Sequence, residues 1–367
     1  MSFLTILGTR PEAIKMYPVI KELESRKAKN KICISGQHNE LLYSVLREFS
    51  INVDYNLGIY KDCKTLSETT VGILRGMRYV LLKERPNLVL IHGDTTTALS
   101  AALAAYYENF PIAHIEAGLR SYDTKNPFPE EFNRKAIDSI SDLLFAPTPA
   151  AAENIVREGI DKSRIFLTGN TVFDVANILY NEEYQHGILK WKSTKKLVLL
   201  TTHRRENLSR LPSVYRAINK LTASENVRIV FPVHPNPQIR RLAKSMLGAN
   251  ENIAIINPLK AVDFHNILAR CDLVITDSGG VQEEAAYYEK PTVILRYKTE
   301  RQEWIFGHCK AVGTEEESIL KAARDILNNN SVCNTAQKNR LCRIGASKKI
   351  ADILLNAREL SKFDIFL

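Results

Sequence analysis

Short apolar runs recur along this chain, each closing on a small or polar cluster and each followed by residues at helical spacing. In the first half they are Phe3–Leu7, Lys31–Ser35, Leu88–His92, Ile112–Ile115, Leu143–Ala146 and Ile165–Thr168. Helical stretches such as Glu12–Arg26, Leu66–Glu84 and Thr96–Tyr107 fall between them. A strand buried on both faces reads as an unbroken apolar run, and parallel strands need a crossover helix. The alternation therefore predicts a doubly wound α/β sheet. It then starts again with Lys196–Thr201, Arg228–Val233, Ile253–Ile256, Leu273–Thr276 and Thr292–Leu295.

At 367 residues the chain exceeds one ordinary core. We expect two Rossmann-like domains facing each other across a cleft, residues 1–180 and 181–345, separated by a polar stretch around Asn181 to Thr194. The amphipathic run Ala346–Leu360 fits either domain by pattern alone, and the segment 346–367 is placed with the first.

Composition excludes several classes. No stretch approaches the ~20 apolar residues of a bilayer span, and Met1-Ser-Phe-Leu-Thr-Ile-Leu-Gly8 lacks a basic lead and a cleavage site. The expectation is a cytoplasmic protein without a membrane partner. The six cysteines form no Cys-x-x-Cys pair, which argues against a zinc ribbon or redox motif, and Cys33 and Cys271 sit in or beside apolar runs as expected core residues. A net charge of +9 suits an anionic ligand. Its denser places, Arg26-Lys27-x-Lys29-x-Lys31 and Lys190 to Lys196, lack the regular aromatic interleaving of a nucleic-acid surface, so a solvated surface is preferred.

Ligands of open parallel sheets bind beyond the carboxyl ends of the strands. Two apolar runs deliver acids there: Leu88-Val-Leu-Ile-His-Gly-Asp94 and Pro111-Ile-Ala-His-Ile-Glu116-Ala-Gly118. A third acidic patch follows at Pro127-Phe-Pro-Glu130-Glu131. Capping of a helix start accounts for one or two of these acids. It does not account for three acidic loops at one sheet edge, which suit proton transfer. The first strand opens into Gly8-Thr-Arg10-Pro11-Glu12, a strand–turn–helix join where Arg10 and Lys15 would draw an anion. No Gly-x-Gly-x-x-Gly occurs.

In the second half, His203-Arg204-Arg205 follows a strong apolar run and invites a phosphate. His234-Pro-Asn236-Pro is a second strand-end histidine in a rigid loop, equally well read as a turn. Asp277-Ser278-Gly279-Gly280 ends a strand and opens a helix, a ready diphosphate cradle, and Glu284 one turn on suits a ribose diol.

Taken in this order the motifs resemble the non-hydrolysing UDP-N-acetylglucosamine 2-epimerases. The resemblance runs from Gly8-Thr-Arg-Pro-Glu-Ala-Ile-Lys-Met16 to Val312-Gly-Thr314 and includes His-Ile-Glu-Ala-Gly-Leu-Arg120, Pro-Phe-Pro-Glu-Glu-Phe-Asn-Arg134 and Thr-Asp-Ser-Gly-Gly-Val-Gln-Glu-Glu284. It implies a glycosyltransferase-B-like fold, a homodimer and a UDP-sugar substrate; no metal cluster with ligand spacing appears in the sequence, and no cofactor, metal or nicotinamide is expected. The implied chemistry eliminates UDP across C1–C2 to 2-acetamidoglucal and re-adds it after a proton returns to the other face. By motif, Asp94, Glu116 and Glu130 become the proton-handling carboxylates and His203 their partner near the diphosphate. Arg10 and Lys15 fall on the nucleotide side; Ser278, Gly279 and Gly280 on phosphate; Glu284 on ribose; Phe264 on uracil. Arg134, His234, Asn236 and Arg301 complete the implied substrate-binding set. Which carboxylate serves which face stays open.

The sequence departs from the family at Gln37-His38-Asn39-Glu40, where the last position is usually glutamine, and at Cys63, where an arginine is usual. Both changes disfavour an anion, so activation by a second substrate molecule is expected to be weak or altered. Thr299-Glu-Arg301-Gln-Glu-Trp304 and Arg343-Ile-Gly345 also differ from the family's usual segments. An inverting glycosyltransferase, a hydrolysing epimerase and a non-catalytic nucleotide binder are the competing readings.

Overall fold

The structure is a computed structural model that describes residues 1–36, 39–59, 65–125, 127–297, 300–301, 303, 309–328 and 343–356. The chain forms two units, Met1–Val175 with Arg343–Leu367, and Ala176–Cys342.

Unit 1 runs β1 (Ser2–Leu7), α1 (Arg10–Ser25), β2 (Lys29–Ile34), α2 (Asn39–Glu48), β3 (Tyr55–Asn56), α3 (Leu66–Glu84), β4 (Leu88–His92), α4 (Thr96–Tyr107) and β5 (Ile112–Ile115). It continues through α5 (Glu130–Ile140), β6 (Leu143–Ala146), α6 (Pro149–Arg157) and β7 (Ile165–Leu167), and α7 (Thr171–Leu179) leads out of it. The seven strands make one sheet, ordered β3-β2-β1-β4-β5-β6-β7, and every pairing is parallel. Strand β4 is buried along its whole length. Alanines 98, 101, 102 and 105 let α4 lie close against a core that includes Leu4, Ile6 and Ile91. Helix α3 begins with a capping box in which Glu68 N donates to Thr65 Oγ1 at 3.2 Å and Thr65 N donates to Glu68 at 2.9 Å.

Unit 2 runs α8 (Gly187–Trp191), β8 (Lys196–Thr201), α9 (Leu211–Ser224), β9 (Val227–Pro232), α10 (Pro237–Leu247), β10 (Ile253–Ile256) and α11 (Ala261–Leu268). Then come β11 (Leu273–Thr276), α12 (Gly279–Tyr287), β12 (Thr292–Ile294), β13 (Cys309–Ala311) and α13 (Glu316–Asn328). Its six strands are ordered β10-β9-β8-β11-β12-β13, again all parallel. The doubly wound α/β class expected from the alternation is the fold of each unit. In each sheet the order reverses between the first strand of the unit and its fourth: β1 and β4 in unit 1, β8 and β11 in unit 2. These are the topological switch points where open sheets take their ligands.

The last helix described, α14 (Ala346–Asn356), packs on α1 of unit 1. Asp174 caps its start, accepting Gly345 N at 2.5 Å and Ser347 N at 2.7 Å. Residues 357–367 of the expected C-terminal segment lie outside the described residues. Cys33 and Cys271 are buried, and burial pushes each thiol up to about 12. No helix among the described residues is long and apolar enough to cross a membrane.

Candidate active site

At the switch point of unit 1, β1 runs into Gly8, where any Cβ would collide with the side chain of Thr97 at the start of α4. Glycine is needed there because the two loops approach so closely. The Gly8 and Thr9 amides donate to Glu12 Oε2 at 2.7 and 2.5 Å, and Thr95 Oγ1 donates to Glu12 Oε1 at 2.6 Å. Burial pushes the Glu12 carboxyl up to about 7, against the pull of those hydrogen bonds. The start of α1 thus already holds a carboxyl of its own chain. Lys15, expected beside Arg10 to draw an anion, makes a buried ion pair with Glu116.

Glu116 directly follows β5 and is 7% exposed with φ 67°. That left-handed backbone is unusual for a residue with a side chain. His92 at the end of β4 places Nε2 3.7 Å from the same Glu116 oxygen that meets Lys15. Asp94 follows β4, the parallel neighbour of β5. Its carboxylate pairs with the buried Arg134 guanidinium, and its carbonyl accepts Asn133 Nδ2 at 2.8 Å. The two neighbouring acids of α5 are different. Glu131 is fully buried and accepts Ser121 N at 2.8 Å and Tyr122 N at 2.9 Å, so it orders the preceding loop. Glu130, the first residue of α5, is only partly buried. The structure therefore brings Lys15, His92, Asp94, Glu116 and Arg134 to one sheet end, with Glu130 on the helix that grips Asp94.

Beneath this cluster lies a second layer. Asp138, fully buried on α5, meets His114 Nδ1 at 2.7 Å, accepts Gly118 N at 3.1 Å and pairs with Arg120 at 2.6 Å. Burial opposes its charge, but His114 and Arg120 together hold the carboxyl below its usual range. The opposite ring nitrogen of His114 lies 2.7 Å from the Gly93 carbonyl.

In unit 2 the switch point is built around Asp277, which directly follows β11 and is fully buried. Its carboxylate accepts His203 N at 3.1 Å, Arg204 N at 3.1 Å and Asn207 Nδ2 at 3.3 Å, and lies 3.1 Å from His203 Nδ1. Burial would raise this carboxyl; the His203 charge and these hydrogen bonds win and hold it low. Asp277 thereby fixes the His203 ring through Nδ1. The His203 side chain is 42% exposed.

Ser278 caps α12, its Oγ accepting Val281 N at 3.4 Å, and Gly279 and Gly280 form the first turn. A Cβ at Gly279 would collide with the Arg301 guanidinium. Arg301 is 7% exposed and pairs with Glu283 at 2.9 Å and with Glu300, so it buttresses the glycine turn from below. Glu284 lies 3.8 Å from His265 Nε2, and Phe264 meets the His265 ring edge-on at 6.2 Å. His234 stacks on His203 with centroids 6.3 Å apart. Asn236 caps α10, its side-chain oxygen accepting Gln238 N at 2.8 Å. Gln37, His38, Cys63, Thr299, Gln302 and Trp304, on which the expected departures rest, lie outside the described residues. Among the described residues no group of three or more His, Cys, Asp or Glu is placed to hold a metal ion.

The family model described as UDP-N-acetylglucosamine 2-epimerase matches residues 21–355. The chain belongs to that family. A UDP-N-acetylglucosamine 2-epimerase of Bacillus subtilis is 40% identical over 331 residues, covering 89% of this chain and 87% of that protein. Among solved structures, a UDP complex of S. aureus MnaA superposes with a TM-score of 0.90 at 37% identity, covering 98% of this chain and 97% of that one. The Methanocaldococcus jannaschii epimerase, solved with UDP-GlcNAc and UDP, gives 0.86 at 36% identity, covering 97% of this chain and 99% of that one. The pair of Rossmann-like units is the glycosyltransferase-B-like architecture of these epimerases.

Four buried carboxylates shape the candidate site; sequence reasoning named Glu12, Glu131 and Asp277 within motifs without giving them a role, and missed Asp138 altogether. For Asp277 a signal was present, since an acid that closes an apolar run and precedes Ser-Gly-Gly cannot itself serve the anion expected there. For Asp138 there was none, because its partners His114 and Arg120 are 24 and 18 residues away.

Proposed function

We propose that this protein interconverts UDP-N-acetylglucosamine and UDP-N-acetylmannosamine. A carboxylate takes the C2 proton while the C1–O bond to UDP breaks, leaving a C1–C2 double bond in 2-acetamidoglucal. Return of a proton to the opposite face and re-addition of UDP complete the exchange. The observation that carries this reading is Glu116, a carboxylate set at a sheet's ligand end in left-handed backbone between Lys15 and His92. Asp94 and Glu130 are read as its proton-handling partners. In unit 2, the start of α12 at Ser278, Gly279 and Gly280 is read as the diphosphate site, with His203 beside the departing oxygen and Glu284 on the ribose. The charge of +9 is assigned to this anionic substrate rather than to nucleic acid.

Exposed apolar residues on adjacent helices of unit 1, Tyr79 (65%) on α3 and Tyr106 (53%) and Tyr107 (67%) on α4, support a homodimer. A cytoplasmic site of action, supplying precursor for surface polysaccharide, fits a nucleotide-sugar substrate.

The test is proton NMR of the protein with UDP-N-acetylglucosamine in D₂O and no acceptor. UDP-N-acetylmannosamine carrying deuterium at C2 is the expected product. Free N-acetylmannosamine with UDP would place the protein on a hydrolysing path, and an unchanged spectrum would remove the substrate assignment.

A further inference from the structure

We infer that Asp138 is a positioning residue for the reaction, one buried carboxylate that sets the places of all three loop acids. The inference rests on reading Asp94, Glu116 and Glu130 as the proton-handling groups. Asp138 grips the Glu116 loop two residues before it, through His114, and two residues after it, through Gly118 N–H. Glu116 lies between those grips with φ 67°. A non-glycine residue holds such backbone only where its surroundings over-determine it. Here the surroundings include one anion bonded on both sides, beside the Ala117 N–H that donates to Phe145 O at 3.1 Å.

The same carboxylate reaches the Asp94 loop. His114 spans Asp138 and the Gly93 carbonyl, each at 2.7 Å, and Gly93 directly precedes Asp94. The His114 ring thus ties the Asp138 carboxylate to the backbone that leads into Asp94. Gly93 N also donates to Ile115 O at 2.9 Å, so the two loops are braced through both polar groups of one peptide residue. Glu130 opens the helix on which Asp138 sits. Asn133 and Arg134 of that helix hold Asp94 directly. Helix α5 thus acts as a gauge: its front half carries one acid and grips another, and Asp138 locks its rear half to the loop of the third.

The charge balance suits a rigid support. Asp138 pairs with Arg120, which also pairs with Glu158 at 2.6 Å. A buried network whose members are all paired is stiff, and losing one member leaves the others uncompensated. The structure places Asp138 in contact with the supporting groups rather than with Glu116 or Asp94, so its effect must pass through geometry.

The test uses the full-length protein with UDP-N-acetylglucosamine and compares Asp138→Asn, His114→Asn and the double variant. Asp138→Asn keeps the shape but turns an N–H toward His114 or Gly118. Its kcat should fall about 10²-fold, the scale of a displacement near 1 Å. KM, and the number and affinity of UDP sites titrated by calorimetry, should stay within about twofold. His114→Asn keeps the Asp138 contacts to Gly118 and Arg120 but releases Gly93; it should lower kcat about tenfold with KM retained. The double variant should be no slower than Asp138→Asn, because the two residues act as one unit. A folded Asp138→Asn protein with wild-type kcat would overturn the inference, as would a kcat that falls only in step with the number of UDP sites. If Asp138→Asn does not fold, His114→Asn decides: wild-type kcat overturns the inference and a selective kcat loss supports it. Glu116→Gln, run alongside, separates the premise from the inference. Full turnover by Glu116→Gln would remove the catalytic reading itself, whereas its inactivity beside an unimpaired Asp138→Asn would remove the positioning role alone.

Discussion

The two units share one strand order over their first six strands yet close their switch points in opposite ways. In each, a buried carboxylate bridges the loop after the first strand and the loop after the fourth. In unit 1 the acid belongs to the first helix: Glu12 takes the Gly8 and Thr9 amides and the Thr95 hydroxyl of the fourth loop. In unit 2 it belongs to the fourth loop: Asp277 takes the His203 and Arg204 amides of the first. Glu12 is 3% exposed and Asp277 0%, so burial acts on both. Their proton affinities move apart all the same, Glu12 up to about 7 and Asp277 below its usual range. The partners decide this, because Glu12 meets neutral donors whereas Asp277 also meets the charges of His203 and Arg204. Ownership of the acid also bears on where the proposed anion would go. The start of α1 is closed by its own Glu12, while the acid of unit 2 faces the first loop and not the glycine-lined start of α12, the proposed diphosphate site.

The largest test of this division is Glu116→Gln. If unit 1 handles protons and unit 2 holds UDP, turnover should fall about 10³-fold with the UDP affinity unchanged. Calorimetry with UDP beside a product assay checks it, and a parallel loss of both would dissolve the division. Next comes Asp277→Asn, which leaves the charges facing it uncompensated and should cost about 3–5 kcal/mol of stability. The native Asp277 carboxyl titrates below its unfolded value of 3.8. Its contribution is present above that value and is lost as pH falls through the native one. The deficit of the variant should therefore shrink in acid, which chemical denaturation at pH 7 and near pH 3 would reveal. A deficit constant across that window would mean that the charge of Asp277 is not what the loop needs.

The contrast also explains what the sequence disclosed and what it did not. Leu88–His92 and Ile112–Ile115 were legible to the residue, because central parallel strands are unbroken apolar runs. Strands β3 and β13 were not, being short sheet-edge strands with few apolar residues to announce them. Helix α12 was legible from Ser278-Gly279-Gly280, since a cap and a glycine turn are local chemistry. The pairing of Lys15 with Glu116 spans 101 residues, and no local pattern encodes it. Nor could adjacency separate Glu130 from Glu131, whose roles part only because helix geometry turns one into the core.

Glu12→Gln probes the closed end of unit 1 with a smaller effect. The native carboxyl titrates near 7 against 4.5 for the ordinary group, so the fold favours its neutral form. That stabilisation is complete below about pH 4.5 and is lost as pH rises through 7. Glutamine keeps an acceptor for the Gly8 and Thr9 amides and does not titrate. The variant should gain about 3 kcal/mol relative to the wild type between pH 5 and pH 8, read from unfolding curves at each pH. Parallel profiles would show that the three donors, and not burial, govern this group.

The smallest effect is the most specific to the open end of unit 2. A Cβ at Gly280 would meet only Ser278 Oγ, at 3.9 Å, and the backbone there has no positive φ. Alanine should therefore be accommodated and, by restricting the unfolded chain, should stabilise the protein by about 0.5–1 kcal/mol. The added methyl group would stand in the space in front of the first turn of α12, where the diphosphate is proposed to lie. UDP affinity should fall about tenfold, or about 1.4 kcal/mol, while the melting temperature rises. Opposite signs in the two measurements are the mark of a surface kept clear for a ligand at a cost in stability. A higher melting temperature with unchanged UDP affinity would move the diphosphate away from α12, and would leave the difference between the two switch points as one of architecture alone.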